Sequence, residues 1–262
     1  MRWLACDLTG HRPDVAPPPT ACPYPVRLVE LSLDSKGSDM TMDFELARFN
    51  MVEQQIRPWD VLDQDVLDLM LTIRREDFVP APYRAMAFTD MEIPLLVDGK
   101  HTGEAMFAPR VEARLLQALA VRKHEHVLEV GTGSGFMAAL LAHRARHVTT
   151  REIHPGLATS SRANLDKAGE RNVVVEQRDG SQLGTGGHFD VILLSGAVSF
   201  VPDAFLQRLS VGGRLLAIVG SAPVMEAQLI TRTGDSSFAA ENLFETLTKP
   251  LSGFPVKDRF RF

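Results

Sequence analysis

Cysteine is nearly missing from this chain. The only two, Cys6 and Cys22, fall within the first 41 of 262 residues. No Cys-x-x-Cys pair exists, which excludes a zinc site built from thiolates. The cysteine-free stretch from Asp43 onward fits a reducing, cytoplasmic setting where disulfides do not persist. Positive charge is also scarce: 28 Lys and Arg stand against 33 Asp and Glu, a formal net charge of −5. This argues against affinity that rests on neutralising nucleic-acid phosphates. No apolar run approaches the roughly 20 residues that span a bilayer. At the amino terminus Trp3-Leu4-Ala5-Cys6 is stopped by Asp7, too soon for the apolar core of a secretory signal.

Residues 1–41 also lack any sustained period, and they hold six of the 16 prolines. They are expected to be a disordered extension, or a leader ahead of a natural start at Met40 or Met42. The remainder is ordinary globular material, with 45% apolar and 23% charged residues over a length that buries a sizeable core.

From Asp43 to about Leu71, apolar residues recur at three-to-four spacing. Pro58 separates two helices, and Asp60 or Asp63 can cap the second. Phe78-Val79-Pro80 reads as a loop, and Met91–Gly103 as irregular and polar. Strands and helices then alternate. Strands are expected at 126–130, 147–153, 172–178, 189–195 and 214–219, the last after a Gly212-Gly213 turn. Helices are expected at 110–119, 135–143, 155–168 and 201–209. This order argues for an α/β fold with a doubly wound, mostly parallel sheet. Segments 228–232 and 243–247, joined through Gly234-Asp235, add a hairpin. The division into parts is a leader at 1–41, a helical cap region at 42–107 and a cofactor-binding domain at 108–262.

Glu129-Val130-Gly131-Thr132-Gly133-Ser134-Gly135 follows a strand and opens a helix. Such glycines let a ligand lie against bare backbone, beside the free amides of a helix start. Glu152, 21 residues past Gly131, ends the next strand, where a carboxylate can accept both hydroxyls of a ribose. Asp179, followed by Gly180, ends the third strand, within reach of an adenine amino group. Glu129 adds negative charge where a pyrophosphate would sit. The trio therefore suits a nucleoside bearing an ammonium and a sulfonium, S-adenosyl-L-methionine, rather than NAD. No metal is expected: His124 and His126 lack a third ligand of useful spacing, and a helix end accounts for His143 and His147.

Met51-Val52-Glu53-Gln54-Gln55-Ile56-Arg57, Arg75-Glu76-Asp77-Phe78-Val79-Pro80, Leu128 to Phe136, Asp179-Gly180-Ser181 and Phe189-Asp190-Val191-Ile192 together resemble the protein-L-isoaspartate O-methyltransferases, from about Phe44 to the carboxyl end. The resemblance implies a seven-stranded Rossmann-like sheet with a reversed last strand, and methylation of L-isoaspartyl carboxylates in damaged proteins or peptides. It implies cofactor contacts at Glu129, Gly131, Gly133, Gly135, Glu152 and Asp179, to which Thr132 and Gly180 are added as neighbours. It leaves the oligomeric state open. One segment departs from the family. Where the family reads Gly-Gln-Thr-Ile-Ser-Gln-Pro, this chain reads Gly103-Glu104-Ala105-Met106-Phe107-Ala108-Pro109, with Ala105 at the threonine and Phe107 at the serine. Thr102, Phe107 and Ser195 are the acceptor-site candidates. Phe107 is expected to make the mouth more apolar, which leaves room for another acceptor or for a catalytically weak cofactor-binding module.

Overall fold

A computed structural model describes residues 43–184 and 186–256. The expectations for residues 1–41 lie outside that part. Helix α1 (Phe44–Met51) opens at Asp43, whose carboxylate accepts from the amides of Glu45 and Leu46 at 3.0 and 3.1 Å. It thereby satisfies donors that a first turn leaves orphaned. A π-turn (Val52–Ile56) and a 3-10 turn carrying Pro58 follow. Asp60 then bends through the left-handed region at φ 59°, so Asp63 is the cap of α2 (Gln64–Thr72).

The stretch expected to be irregular is a two-stranded antiparallel hairpin, β1 (Ile93–Val97) and β2 (Lys100–Met106). Its turn is Asp98-Gly99, both with positive φ, the conformation favoured in two-residue hairpins. The outward polar residues of β2 disguised it.

Seven further strands form one sheet: β3 (His126–Val130), β4 (His147–Glu152), β5 (Val173–Gln177), β6 (Phe189–Val198), β7 (Leu209–Ser221), β8 (Val224–Arg232) and β9 (Phe238–Glu245), in the order β5-β4-β3-β6-β7-β8-β9. The first five in that order are parallel, β8 runs against β7, and β9 runs against β8. The reversed strand is thus the last but one, not the last. Short turns rather than crossover helices join β7 to β8 and β8 to β9, and each turn reverses the chain.

Side chains alternate between two cores. Val127, Val191, Leu193, Leu216 and Ile218 enter one, and Leu128, Ile192, Leu194, Leu215 and Ala217 the other. The central strands are therefore apolar on both faces, as parallel strands must be. The first core is shared with α1, α2, α3 (Pro109–Leu119), α4 (Phe136–Arg144) and α5 (Pro155–Ala168). The second is covered by the five-residue α6 (Asp203–Gln207), Leu183, Leu251 and Phe254. The winding is two-sided but unequal, and the thin side leaves the carboxyl edge of β3 and β6 to be covered by the C-terminal segment.

Candidate functional site

The loop after β3 uses its glycines for conformation. Gly131, Gly133 and Gly135 have φ of 97°, 54° and 87°, values that strain any residue with a β-carbon. The loop amides are already engaged. Gly131 and Thr132 donate to the Arg151 carbonyl at 2.9 and 3.3 Å, Gly133 donates to Glu152 Oε2 at 2.9 Å, and Gly135 donates to the Thr132 carbonyl at 2.9 Å. At the helix start the Phe136 amide donates to the Ser134 hydroxyl at 3.3 Å. A loop so satisfied is not a phosphate cradle, which needs amides pointing at the anion.

The carboxylates meet at this edge. Glu129 is fully buried. Its Oε2 accepts from the Thr150 hydroxyl at 2.6 Å and its Oε1 from the Ser195 hydroxyl at 2.9 Å, while Thr150 also bonds the Thr132 hydroxyl at 2.7 Å. Burial pushes the Glu129 carboxyl up to about 8, opposed by the hydroxyls of Thr150 and Ser195 and aided by the charge of Glu152. Glu152 is also raised by burial, against the amides of His154 and Gly133, with Glu104 adding repulsion. Asp179 stands apart. Its Oδ1 accepts from the Ser181 amide and hydroxyl at 2.9 and 2.7 Å, and Gly253 packs on it so closely that a β-carbon there would lie 2.7 Å from Oδ1.

Two adjoining cavities open here. The outer cleft is lined by Leu95, Glu104, Glu152, Ile153, Gly180 and Leu251 among others. The inner one reaches Phe107, Glu112, Glu129, Thr132, Ser134 and Met137. Ala105, Gly131, Gly133 and Ser195 line both. Of the residues singled out from sequence, Glu129, Gly131, Thr132, Gly133, Glu152, Gly180, Phe107 and Ser195 are thus brought together. Gly135 lies behind them against Leu165 and Ser161. Asp179 lines neither cavity. Nor does Thr102, whose hydroxyl donates to the Leu95 carbonyl at 3.0 Å inside the hairpin. Phe107 is 8% exposed and adds an apolar side chain to the lining of the second cavity.

Two features escaped the sequence reading. Arg75 is wholly buried: Nε donates to the Ala87 carbonyl at 2.9 Å, Nη2 to the Phe107 carbonyl at 2.6 Å and Nη1 to Glu112, and its guanidinium lies 5.0 Å from the Phe136 ring centroid. It ties the segment carrying Phe107 to α3 and to the start of α4. The second feature is the C-terminal segment. The Ala197 amide donates to the Lys249 carbonyl at 2.9 Å and the Leu251 amide to the Ala197 carbonyl at 2.8 Å. This bridge lays Leu251 over Gly131 and Gly196, where β-carbons would come within 3.0 and 2.9 Å of its Cδ2.

The profile of the protein-L-isoaspartate(D-aspartate) O-methyltransferases matches residues 47–253, most of the chain. The chain belongs to that family. Among similar proteins, the protein-L-isoaspartate O-methyltransferase of Koribacter versatilis is 37% identical over 211 residues, covering 80% of this chain and 92% of its own. That of Petrotoga mobilis is 33% identical over 214 residues, covering 81% and 98%. Among solved structures, a Plasmodium falciparum chain described as a protein-L-isoaspartate O-methyltransferase in complex with S-adenosyl-L-homocysteine superposes with a TM-score of 0.65 at 18% identity, covering 81% of this chain and 99% of that one. Another of that name gives a TM-score of 0.68 at 22% identity, covering 79% and 66%. These two likenesses establish the methyltransferase fold, including the seven-stranded sheet.

Proposed function

We propose that the protein is an S-adenosyl-L-methionine-dependent O-methyltransferase acting on the carboxylates of L-isoaspartyl residues in damaged proteins or peptides. The observation that carries this reading is a glycine loop with its amides engaged, set beside two buried carboxyls, Glu129 and Glu152, at neighbouring strand ends. That edge disfavours a pyrophosphate and suits a cationic nucleoside. The cofactor set in this reading is Glu129, Gly131, Thr132, Gly133, Gly135, Glu152, Asp179 and Gly180. In this reading Glu129 takes the ammonium and Glu152 the ribose hydroxyls, while Asp179, which lines neither cavity, takes the adenine amino group only if the cleft extends past Gly180. Residues 42–107 then form the acceptor-side cap and 108–262 the cofactor-binding part.

When bound, the cofactor supplies a methyl group activated on a sulfonium. The acceptor carboxylate is already ionised at neutral pH, so no side chain has to take a proton from it. What the protein supplies is proximity and alignment. Ser195 lies on the wall common to both cavities, but its hydroxyl proton goes to Glu129, so it holds an ionised acceptor only by exchanging that bond. Where the family has a loop serine, Phe107 offers none. A hydrogen bond to a charged group is worth about 1.5–3 kcal/mol, so turnover is expected to be about tenfold to a hundredfold slower than with that serine present. The same substitution favours a second reading, in which the cofactor is kept and the acceptor is another protein or a small molecule. Among the described residues no helix is long and apolar enough to cross a membrane, and we place the protein in the cytoplasm on its cysteine usage.

Calorimetry with S-adenosyl-L-homocysteine and an assay with labelled S-adenosyl-L-methionine and an isoaspartyl peptide test the proposal. Cofactor binding with labelled methyl ester supports it. Binding without ester leaves the second reading, and absence of binding removes both.

A further inference from the structure

The rim of the outer cleft carries an ion pair that bridges distant parts of the chain. Lys249 Nζ donates to Glu104 Oε1 and, at 3.0 Å, to the Gly103 carbonyl. Glu104 lines the cleft, and its charge is felt at Glu152. In sequence Glu104 stands where the family's loop carries glutamine, so this chain has added a negative charge at the rim of a cleft meant for a carboxylate. Behind it lie Glu129 and Glu152, acidic groups with no positive charge to offer an anionic acceptor. The cleft's lining cation, Arg151, is 6% exposed and bound to Glu176 at 3.0 Å. Lys249 differs. Its side chain is 49% exposed, and its ammonium has three protons, two of which go to Gly103 and Glu104. Lys249 lines neither cavity, but its backbone is fixed to Ala197, two residues past Ser195, and its ammonium reaches the rim of the cleft through Glu104, with one proton left over.

We infer that Lys249 is the acceptor-binding cation of this enzyme and that Glu104 attenuates it, so the pair sets the protein's preference for anionic acceptors. This deepens the isoaspartyl reading and rests on it. If the pair were a mere clasp, breaking it from either side would have the same effect. If Lys249 recruits the acceptor carboxylate, the two sides have opposite effects. Removing Lys249 takes away the attraction, whereas neutralising Glu104 removes the negative charge that offsets the ammonium while the Gly103 carbonyl still holds it.

The test is the dissociation constant of a fluorescent isoaspartyl peptide for the full chain saturated with S-adenosyl-L-homocysteine. Lys249→Gln is expected to weaken binding about tenfold, the value of one charge-assisted hydrogen bond. Lys249→Arg stays within about threefold of the parent because it keeps the charge, and it guards against a folding defect in the glutamine variant. Glu104→Gln tightens binding about threefold, as expected when a partner that offsets an exposed charge is removed. Shifts of the same sign in Lys249→Gln and Glu104→Gln, no shift in either, or a parent chain that does not bind the peptide would each overturn the assignment. Turnover with labelled cofactor is measured in parallel. Peptide binding without methyl transfer would defeat the proposed activity while leaving the comparison of dissociation constants intact.

Discussion

Arg75 sits in the protein with no exposed atom, and its three hydrogen-bonding nitrogens each have a partner in a different segment. Burial lowers its affinity for its proton, which Glu112 opposes, and burial raises Glu112 in turn. Such a pair contributes little net stability compared with apolar residues of equal volume, but removing one partner strands the other charge at a cost of about 3–5 kcal/mol. Arg75→Met is therefore expected to lower unfolding free energy by about 3 kcal/mol in urea, and Glu112→Leu added to it should recover most of that loss. Turnover should not recover, because the Phe107 carbonyl still lacks its donor and the acceptor loop is no longer held. A double variant with full activity would reduce Arg75 to a structural residue. Phe107 itself presents a conflict between packing and chemistry. Phe107→Ser restores the family's hydroxyl but empties a buried aromatic site, and about 3 kcal/mol of stability should be lost. Turnover per folded molecule should nevertheless rise by about tenfold. Chemical denaturation paired with active-site titration separates the two effects.

The β1–β2 hairpin is the element on which the cleft depends, since Leu95, Glu104 and Ala105 reach the cleft from it. It rests on α5 through Val97, which packs against Gly156. A β-carbon at Gly156 would lie 2.4 Å from Val97 Cγ1. Gly156→Ala should thus lift the hairpin, speed amide exchange across residues 93–106 and raise the KM for an isoaspartyl peptide several-fold, leaving exchange in β3 and β6 unchanged. Exchange in 93–106 equal to that of the parent would show that the hairpin is held by other contacts. This hairpin was hidden in the sequence. The solvent-facing polarity of Lys100, His101 and Glu104 reads as a loop, although Asp98-Gly99 signalled the turn. The central strands and α3 to α5 were legible because double-sided burial and amphipathic periods repeat over whole elements. At Gly212-Gly213 the expected turn is an irregularity within the longer β7: Gly212 has φ 82°, the register with β6 shifts between Leu209 and Arg214, and a β-carbon at Gly213 would meet the Asp190 carbonyl at 2.8 Å. That longer β7, beginning at Leu209, also cuts the expected helix back to Asp203–Gln207. Of the site, the strand-end carboxyls could be read from spacing, since a parallel sheet puts successive strand ends on one edge. Contacts such as Lys249 with Gly103, 146 residues apart, leave no local pattern.

At the scale of the whole molecule, the cleft leaves its mark on stability as a function of pH. Glu129 has an ordinary carboxyl value of 4.5 when unfolded and is pushed by burial to about 8 when folded. Between those values the native state holds a proton that the unfolded chain has released, so stability falls as pH rises through that window and levels off above it. Glu112, pushed by burial to about 7, and Glu152, raised by burial as well, act in the same sense. Glu125 acts in the other. Burial pushes it up, but the bonds from Arg214 and the Arg122 amide outweigh burial and hold it below 4.5, so its contribution is complete above 4.5 and is lost only as pH drops through its folded value. The two windows do not overlap. The ligand-free protein should accordingly unfold at its highest temperature near pH 5 and lose several degrees by pH 8. Glu129→Gln has no ionisable proton, keeps one acceptor for these hydroxyls and presents an amide donor to the other, and should flatten the Glu129 share of that decline while leaving the share of Glu112 and Glu152. An ammonium-bearing ligand opposite Glu129 favours its charged form, so the rise in midpoint produced by saturating S-adenosyl-L-homocysteine should itself grow from pH 6 to pH 8, with protons released to the buffer on binding. Thermal melts at several pH values, with and without ligand, measure both slopes. If Glu129→Gln declined with pH as steeply as the parent, the buried carboxyl at the end of β3 could not be the group that links folding, protonation and the cofactor site.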